Sequence, residues 1–139
     1  MNVQDFSRRK AEGVPISMVT CYDSWSAALI ADTDIDCVLV GDSLAMVVYG
    51  HETTLPADIE TMAAHTAAVR RGMPEKFLIG DLPFLSYRKG LDIAVGNVGK
   101  LMTAGANAVK MEGAAGNVDL VRHLVESGVP VRGHLGPVS

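Results

Sequence analysis

Several short apolar runs end in residues that can do chemistry. Cys37–Val40 leads into Gly41-Asp42-Ser43, and Phe77–Ile79 leads into Gly80-Asp81. Ala108–Met111 carries Lys110 and is followed by Glu112-Gly113, while Val129–Val131 leads towards Gly133-His134. Asp42, Asp81 and Glu112 in one cleft would repel one another. A divalent cation that prefers hard oxygen donors, Mg²⁺ before Zn²⁺, is the natural way to hold them ionised. Taken singly, such residues also serve as helix N-caps and turn residues. Their recurrence in one register, after successive apolar runs, points to a site. Lys110 sits at the end of an apolar run, where a lysine needs a partner. That partner is either a carboxylate, with Glu112 two residues on and on the same face of a strand, or an anionic substrate. His134 could orient or protonate a substrate oxygen, or be a satisfied turn histidine. His51 is a weaker candidate, His65 falls inside a helical pattern and reads as structural, and His123 reads as helix surface. Cys21 and Cys37 form no metal motif, the methionines read as core filler, and GDSLAM does not fit a phosphate-binding GxxxxGK[ST] loop.

The elements that must position these residues follow from hydrophobic patterning. The apolar runs Ile16–Thr20, Cys37–Val40, Phe77–Ile79, Ala108–Met111 and Val129–Val131 are short, and several are β-branched, as in buried parallel strands. Helical patterns lie between them: Ser24–Ile30, Asp58–Arg71, Asp92–Ala104 and Asn117–Ser127. Asp58 suits an N-cap. Arg70-Arg71 oppose the negative helix end, and Gly72 is expected in the left-handed position just beyond it. Gly96 and Gly99 weaken their helix by about 1 kcal/mol each if exposed. Strands alternating with helices imply βαβ units and a parallel sheet. Right-handed crossovers then bring every strand's C-terminal end to one edge, where such folds place their sites. A closed (β/α)₈ barrel needs roughly 250 residues. This chain, with 139 residues, supplies about five strands and would leave two open sheet edges.

Composition narrows the class. With 48% apolar and 20% charged residues, the chain can bury a core as one domain. A net charge of -4 argues against nucleic acid as a partner. No apolar run approaches the roughly 20 residues that span a bilayer. The N-terminal MNVQDFSRRKAEG lacks the apolar stretch of a secretory signal, so a cytoplasmic, reduced setting is expected.

At these same residues the sequence resembles a known family. MVTCYDSWSA, VLVGDSLAMVVYGHETTLP, HTAAVRRG, DLPF, AGANAVKMEG and VPVRGHLG follow one another in order. Together they are similar to the ketopantoate (3-methyl-2-oxobutanoate) hydroxymethyltransferases, over about Ile16 to Gly136. The resemblance implies the (β/α)₈ barrel of the phosphoenolpyruvate mutase/isocitrate lyase superfamily, with residues 1–139 forming a single partial barrel domain. It implies transfer of a hydroxymethyl group from 5,10-methylenetetrahydrofolate to 3-methyl-2-oxobutanoate through a Mg²⁺-stabilised enolate. The product is 2-dehydropantoate, on the way to pantothenate and coenzyme A. It further implies a cytoplasmic homo-oligomer, a decamer when full length, acting on small molecules without nucleic acid or membrane. By resemblance, Asp42 and Asp81 are metal ligands with Glu112 close to the metal. Asp42, Ser43, Asp81, Lys110 and His134 hold the keto-acid.

The chain also departs from the family pattern. The family's general base is a glutamate on a later strand and has no counterpart here, which leaves His134 as the one catalytic candidate. Thr33-Asp34 stand where the family has a glycine ending the first helix, and after GHLG the pattern breaks into Pro137-Val138-Ser139. The chain is therefore expected to be an N-terminal portion of the enzyme. The alternatives are a catalytically incomplete binding remnant, or a related Mg²⁺-dependent keto-acid lyase or mutase. The long GDSLAMVVYGHETTLP match argues against the last of these.

Overall fold

Alternation along the strands decides which side chains meet. In the computed structural model, residues 1–136 are described, and the expected break at Pro137-Val138-Ser139 lies outside them. The strands are β1 (Met18–Thr20), β2 (Cys37–Val40), β3 (Phe77–Asp81), β4 (Ala108–Glu112) and β5 (Val131–His134). They pair in parallel in the order β1-β2-β3-β4-β5. Helices α2 (Ser24–Ala31), α4 (Ile59–Gly72), α5 (Leu91–Thr103) and α6 (Val118–Glu126) form the crossovers. Val38, Val40, Leu78, Val109 and Met111 face these helices and join Ala27, Met62, Val69, Leu101 and Leu124 in the main core. The alternate residues Cys37, Leu39, Phe77, Ile79 and Ala108 form a second cluster on the opposite face, with Phe6 and Ile16 against it. The central strands are covered on both faces, which is why they read as unbroken apolar runs. Among the described residues, β1 and β5 have no further strand neighbour, so the expected open edges are present.

The expected strands and crossover helices form, with shifts at their ends. β3 and β4 run on through Asp81 and Glu112, where the sequence reads as turn, because pairing continues: Gly80 sits opposite Val109 and Asp81 opposite Lys110. β5 starts at Val131 and continues to His134 for the same reason. Two helices had no counterpart in the sequence patterning. In α1 (Val3–Glu12), the Asn2 side chain and the Asp5 side chain cap each other's backbone. The Phe6 ring then meets Phe77 edge-on at 4.8 Å between centroids. α3 (Leu44–Val47) is a single turn directly after Asp42-Ser43. Asp58 caps α4 as expected, accepting from the Thr61 N–H. Where a glycine was expected after α2, Thr33 closes the turn, its backbone N–H and its hydroxyl both donating to the Ile30 carbonyl.

Gly72 corrects one expectation. It is the last residue of α4 rather than a left-handed residue beyond it, and Met73 leaves the helix at φ -142°. A glycine is required there by close approach: a Cβ would lie 2.2 Å from the Ser24 carbonyl oxygen and 2.8 Å from the Ala27 Cβ. The neighbouring Arg70 does more than oppose the helix end. Its guanidinium donates to the carbonyls of Gly105, Met73, Pro74 and Lys76 and to the Asn107 side chain. This ties the end of α4 to the loops that enter β3 and β4. Gly72→Ala forces apart backbone that cannot yield cheaply, and overpacking of this kind costs about 1–3 kcal/mol or more. Urea unfolding is expected to show a loss in that range for Gly72→Ala, whereas the exposed Gly99→Ala, with open space at its Cβ, is expected to be stabilising.

Candidate functional site

The C-terminal edge of the sheet gathers the chemistry. In β4, alternation puts Ala108, Lys110 and Glu112 on the face away from the crossover helices. In β3 the same face carries Phe77, Ile79 and Asp81. Lys110 and Asp81 are directly paired across the two strands. The Lys110 Nζ donates to Asp81 Oδ1 at 3.0 Å and Oδ2 at 2.9 Å, and to Glu112 Oε1 at 3.0 Å. Asp81 is 2% exposed and Lys110 7% exposed. Asp42, just past β2, joins them: its backbone N–H donates to Asp81 Oδ2 at 3.3 Å. Ser43, beside it, shares a 2.8 Å hydrogen bond with the Tyr22 hydroxyl. The carboxylate partner anticipated for Lys110, Glu112, is therefore present, and Asp81 joins it.

His134 reaches the same edge by register, opposite Glu112, but no hydrogen bond links its ring to the cluster among the described residues. Of the other histidines, His51 and His123 are exposed. His65 is structural as expected: its Nδ1 bonds the Tyr22 carbonyl at 2.5 Å and its Nε2 the Tyr49 hydroxyl at 2.9 Å. Three further residues hold the site in roles that the sequence reading did not assign to them. Tyr22 meets Ser43. Tyr87 donates to the Glu112 carbonyl at 3.3 Å, and the Asn117 amide donates to the Glu112 and Gly113 carbonyls at 3.1 and 2.9 Å. Asn117 was legible as a helix start, yet its side chain fixes the loop after β4 instead of capping α6. A cavity of about 300 Å³ opens beside the cluster, lined by Asp42, Glu112 and Arg88 together with Leu82, Phe84 and Tyr87. Leu85, also on its wall, stands at φ 61°, a left-handed conformation rarely adopted by a leucine.

Comparison with known proteins decides the family. The family model for ketopantoate hydroxymethyltransferase matches residues 1–139. The chain belongs to that family. It is 59% identical over 137 residues to the 3-methyl-2-oxobutanoate hydroxymethyltransferase of Coxiella burnetii (strain Dugway 5J108-111), covering 98% of the chain and 52% of the relative. It is 62% identical over 134 residues to the enzyme of the same name from Bdellovibrio bacteriovorus, covering 96% of the chain and 51% of the relative. The chain thus spans about half the length of the curated relatives it matches. Among solved structures it resembles 2,3-dimethylmalate lyase, a PEP mutase/isocitrate lyase superfamily member (TM-score 0.66, 15% identity, 94% of this chain and 51% of that one). It also resembles phosphonopyruvate hydrolase in complex with oxalate and Mg²⁺ (TM-score 0.65, 16% identity, 81% and 39%). At these identities the likeness concerns the fold alone: α/β, with five parallel strands in sequential order, laid out as in part of a (β/α)₈ barrel.

For a member of this family, the charge balance is the informative property. Burial raises the Asp81 carboxyl to about 6 and the nearby Asp42 charge adds to the rise, while Lys110 opposes it. Burial also raises the Asp42 carboxyl; the Lys110 charge opposes this and Glu112 reinforces it. Burial alone would lower the Lys110 ammonium, but Asp81 and Glu112 together more than offset it and hold it charged. The anticipated repulsion among the carboxylates acts on both groups, but the Lys110 attraction outweighs it, and burial is what keeps the two carboxyls raised. Asp42 and Asp81 are adjacent hard-oxygen donors in a cluster left with excess negative charge, which suits Mg²⁺. This ion takes one or two protein carboxylates and completes its octahedron with water and substrate oxygens. Among the described residues no group of three or more His, Cys, Asp or Glu is arranged to hold a metal. Glu112 is turned to Lys110 instead of closing such a group. Lys110→Met keeps the aliphatic stem and removes the charge, leaving Asp81 buried without a counter-ion. Removing one partner of a buried pair costs about 3–5 kcal/mol, and urea unfolding at neutral pH is expected to show that loss.

Proposed function

We propose that this chain carries the metal- and keto-acid-binding part of a hydroxymethyltransferase. That enzyme would move a one-carbon unit from 5,10-methylenetetrahydrofolate to 3-methyl-2-oxobutanoate, giving 2-dehydropantoate on the route to pantothenate and coenzyme A. One observation carries the reading: Asp42, Asp81, Lys110 and Glu112 converge at the C-terminal edge of a parallel sheet, with an apolar-walled cavity beside them. Asp42 and Asp81 would hold Mg²⁺, with Glu112 in support. The fold neighbour phosphonopyruvate hydrolase was solved with oxalate and Mg²⁺, a small dicarboxylate and this ion together on a related scaffold. Bound to this chain, Mg²⁺ supplies Lewis-acid polarisation of the keto oxygen and so acidifies the adjacent C–H.

The chain's own residues supply the rest of the binding chemistry. Lys110 balances the negative charge of the substrate carboxylate and of the enolate that forms on proton loss. Ser43 donates a hydrogen bond to a substrate oxygen, and His134 approaches the same oxygens from β5. Leu82 and Phe84, on the cavity wall, offer apolar surface to the branched end. Asp81 and Glu112 are tied to Lys110 and Asp42 faces the metal, so the reading gives none of these carboxylates the role of general base. The reading includes residues 1–139 as one partial barrel domain, and a cytoplasmic homo-oligomer. No helix among the described residues is long and apolar enough to cross a membrane.

Isothermal titration of 3-methyl-2-oxobutanoate into the chain, with and without Mg²⁺, tests this. Asp42→Ala and Asp81→Ala are each expected to raise the Kd of Mg²⁺-dependent binding by more than about 100-fold, beyond the 10–100-fold typical of outer partners. Wild-type affinity in either variant would overturn the metal assignment.

A further inference from the structure

Ser43 occupies a position where serine usually has another job. It is the N-cap of α3, yet its side chain makes no capping hydrogen bond. Its hydroxyl instead meets the Tyr22 hydroxyl at 2.8 Å. The backbone leaves room for that rotamer: a Cβ on Gly41 would come within 3.0 Å of Ser43 Oγ. Tyr22 is itself pinned from two sides. The Cys21 N–H donates to the Leu39 carbonyl at 3.0 Å, extending the β1–β2 pairing one residue and fixing the loop after β1 against the loop that carries Ser43. From α4, His65 Nδ1 bonds the Tyr22 carbonyl, and its Nε2 bonds the Tyr49 hydroxyl. A single neutral tautomer satisfies both contacts, with Nδ1–H donating to the carbonyl and Nε2 accepting from the phenol.

We infer that Tyr22 is a positioning residue for the Ser43 hydroxyl, with His65 and Tyr49 anchoring Tyr22; this rests on the proposed role of Ser43 as a keto-acid contact. A hydroxyl has one hydrogen. Among the described residues the Tyr22 hydroxyl has no partner other than Ser43, so it is free to donate to Ser43 Oγ. Ser43 then keeps its own hydrogen for an anionic oxygen of the substrate, and accepting one hydrogen bond strengthens the one it gives. Without the phenol, the Ser43 rotor is unfixed and its hydrogen is free to turn elsewhere. The relay thus sets the orientation of a group beside the metal-binding carboxylates without itself touching substrate.

The test is a double-mutant cycle on the 139-residue chain, using Tyr22→Phe, Ser43→Ala and both together. Titration with 3-methyl-2-oxobutanoate in the presence of Mg²⁺ gives the Kd, and thermal melts check the fold. Tyr22→Phe keeps the ring in the core and is expected to leave the Tm within about 3 °C while raising the Kd about fivefold, the loss of one net hydrogen bond. In the Ser43→Ala background, Tyr22→Phe is expected to have no further effect on the Kd. A Ser43→Ala loss with no loss in Tyr22→Phe would overturn this inference alone. So would equal effects of Tyr22→Phe in both backgrounds, or a lowered Tm with unchanged Kd. Wild-type binding in Ser43→Ala, or no binding by the wild-type chain, would overturn the proposed site and this inference with it.

Discussion

A single buried ammonium organises the functional edge of this sheet. Lys110 comes up from the middle of β4 and satisfies both oxygens of Asp81 and one of Glu112. The buried Asp81 and Lys110 charges would each be costly alone at that depth, and each is tolerable only in the company of the other. The cluster therefore constrains everything that sets its geometry. β3 and β4 must be in register at Asp81 and Lys110, and β4 must extend far enough to keep Glu112 on the same face. A slip of one residue would turn Lys110 towards Leu101 and Val98 in the main core.

The helical layer enforces that register from outside. Arg70 spends its guanidinium on carbonyls of Gly105 and Lys76 and on the side chain of Asn107. Asn107 in turn accepts from the Leu78 N–H. These contacts lie at the N-terminal ends of β3 and β4, opposite the charge cluster, so the two strands are clamped at one end by hydrogen bonds to backbone and amide groups and at the other by ion pairs. Gly72 allows α2 and α4 to close on each other nearby. The bottom of the sheet holds the strands in place, and the top gathers the charge.

Much of this was legible because the physics is periodic. Runs such as Cys37–Val40 suit strands covered on both faces, and the residues after them had to share an edge once the crossovers were right-handed. Asp42, Asp81, Lys110 and Glu112 were found that way, without contacts. The parts that escaped were aperiodic. α1 is largely polar, and only the mutual capping of Asn2 and Asp5 and the packing of Phe6 reveal it. Gly72 looked like a helix stop because a sequence marks the end of a helix but not its neighbours in space. Tyr22, Tyr87 and Asn117 matter through side-chain hydrogen bonds to residues 4 to 25 positions away, and no spacing rule encodes those. Register alone brought His134 to the edge, and its ring then made no hydrogen bond to the cluster among the described residues.

The same charge arithmetic separates holding a substrate from reacting with it. A carboxylate that acts as a base must be ionised, accessible and unencumbered when the proton leaves. Asp81 is buried and doubly hydrogen-bonded to Lys110, and Glu112 shares that ammonium. Asp42 is held against Asp81 by its backbone N–H and lies in the field of Lys110 and Glu112. Every anionic group in this cluster is thus already committed to fixing charge in place. Groups so committed are suited to polarising a neighbouring molecule and ill suited to taking a proton from it.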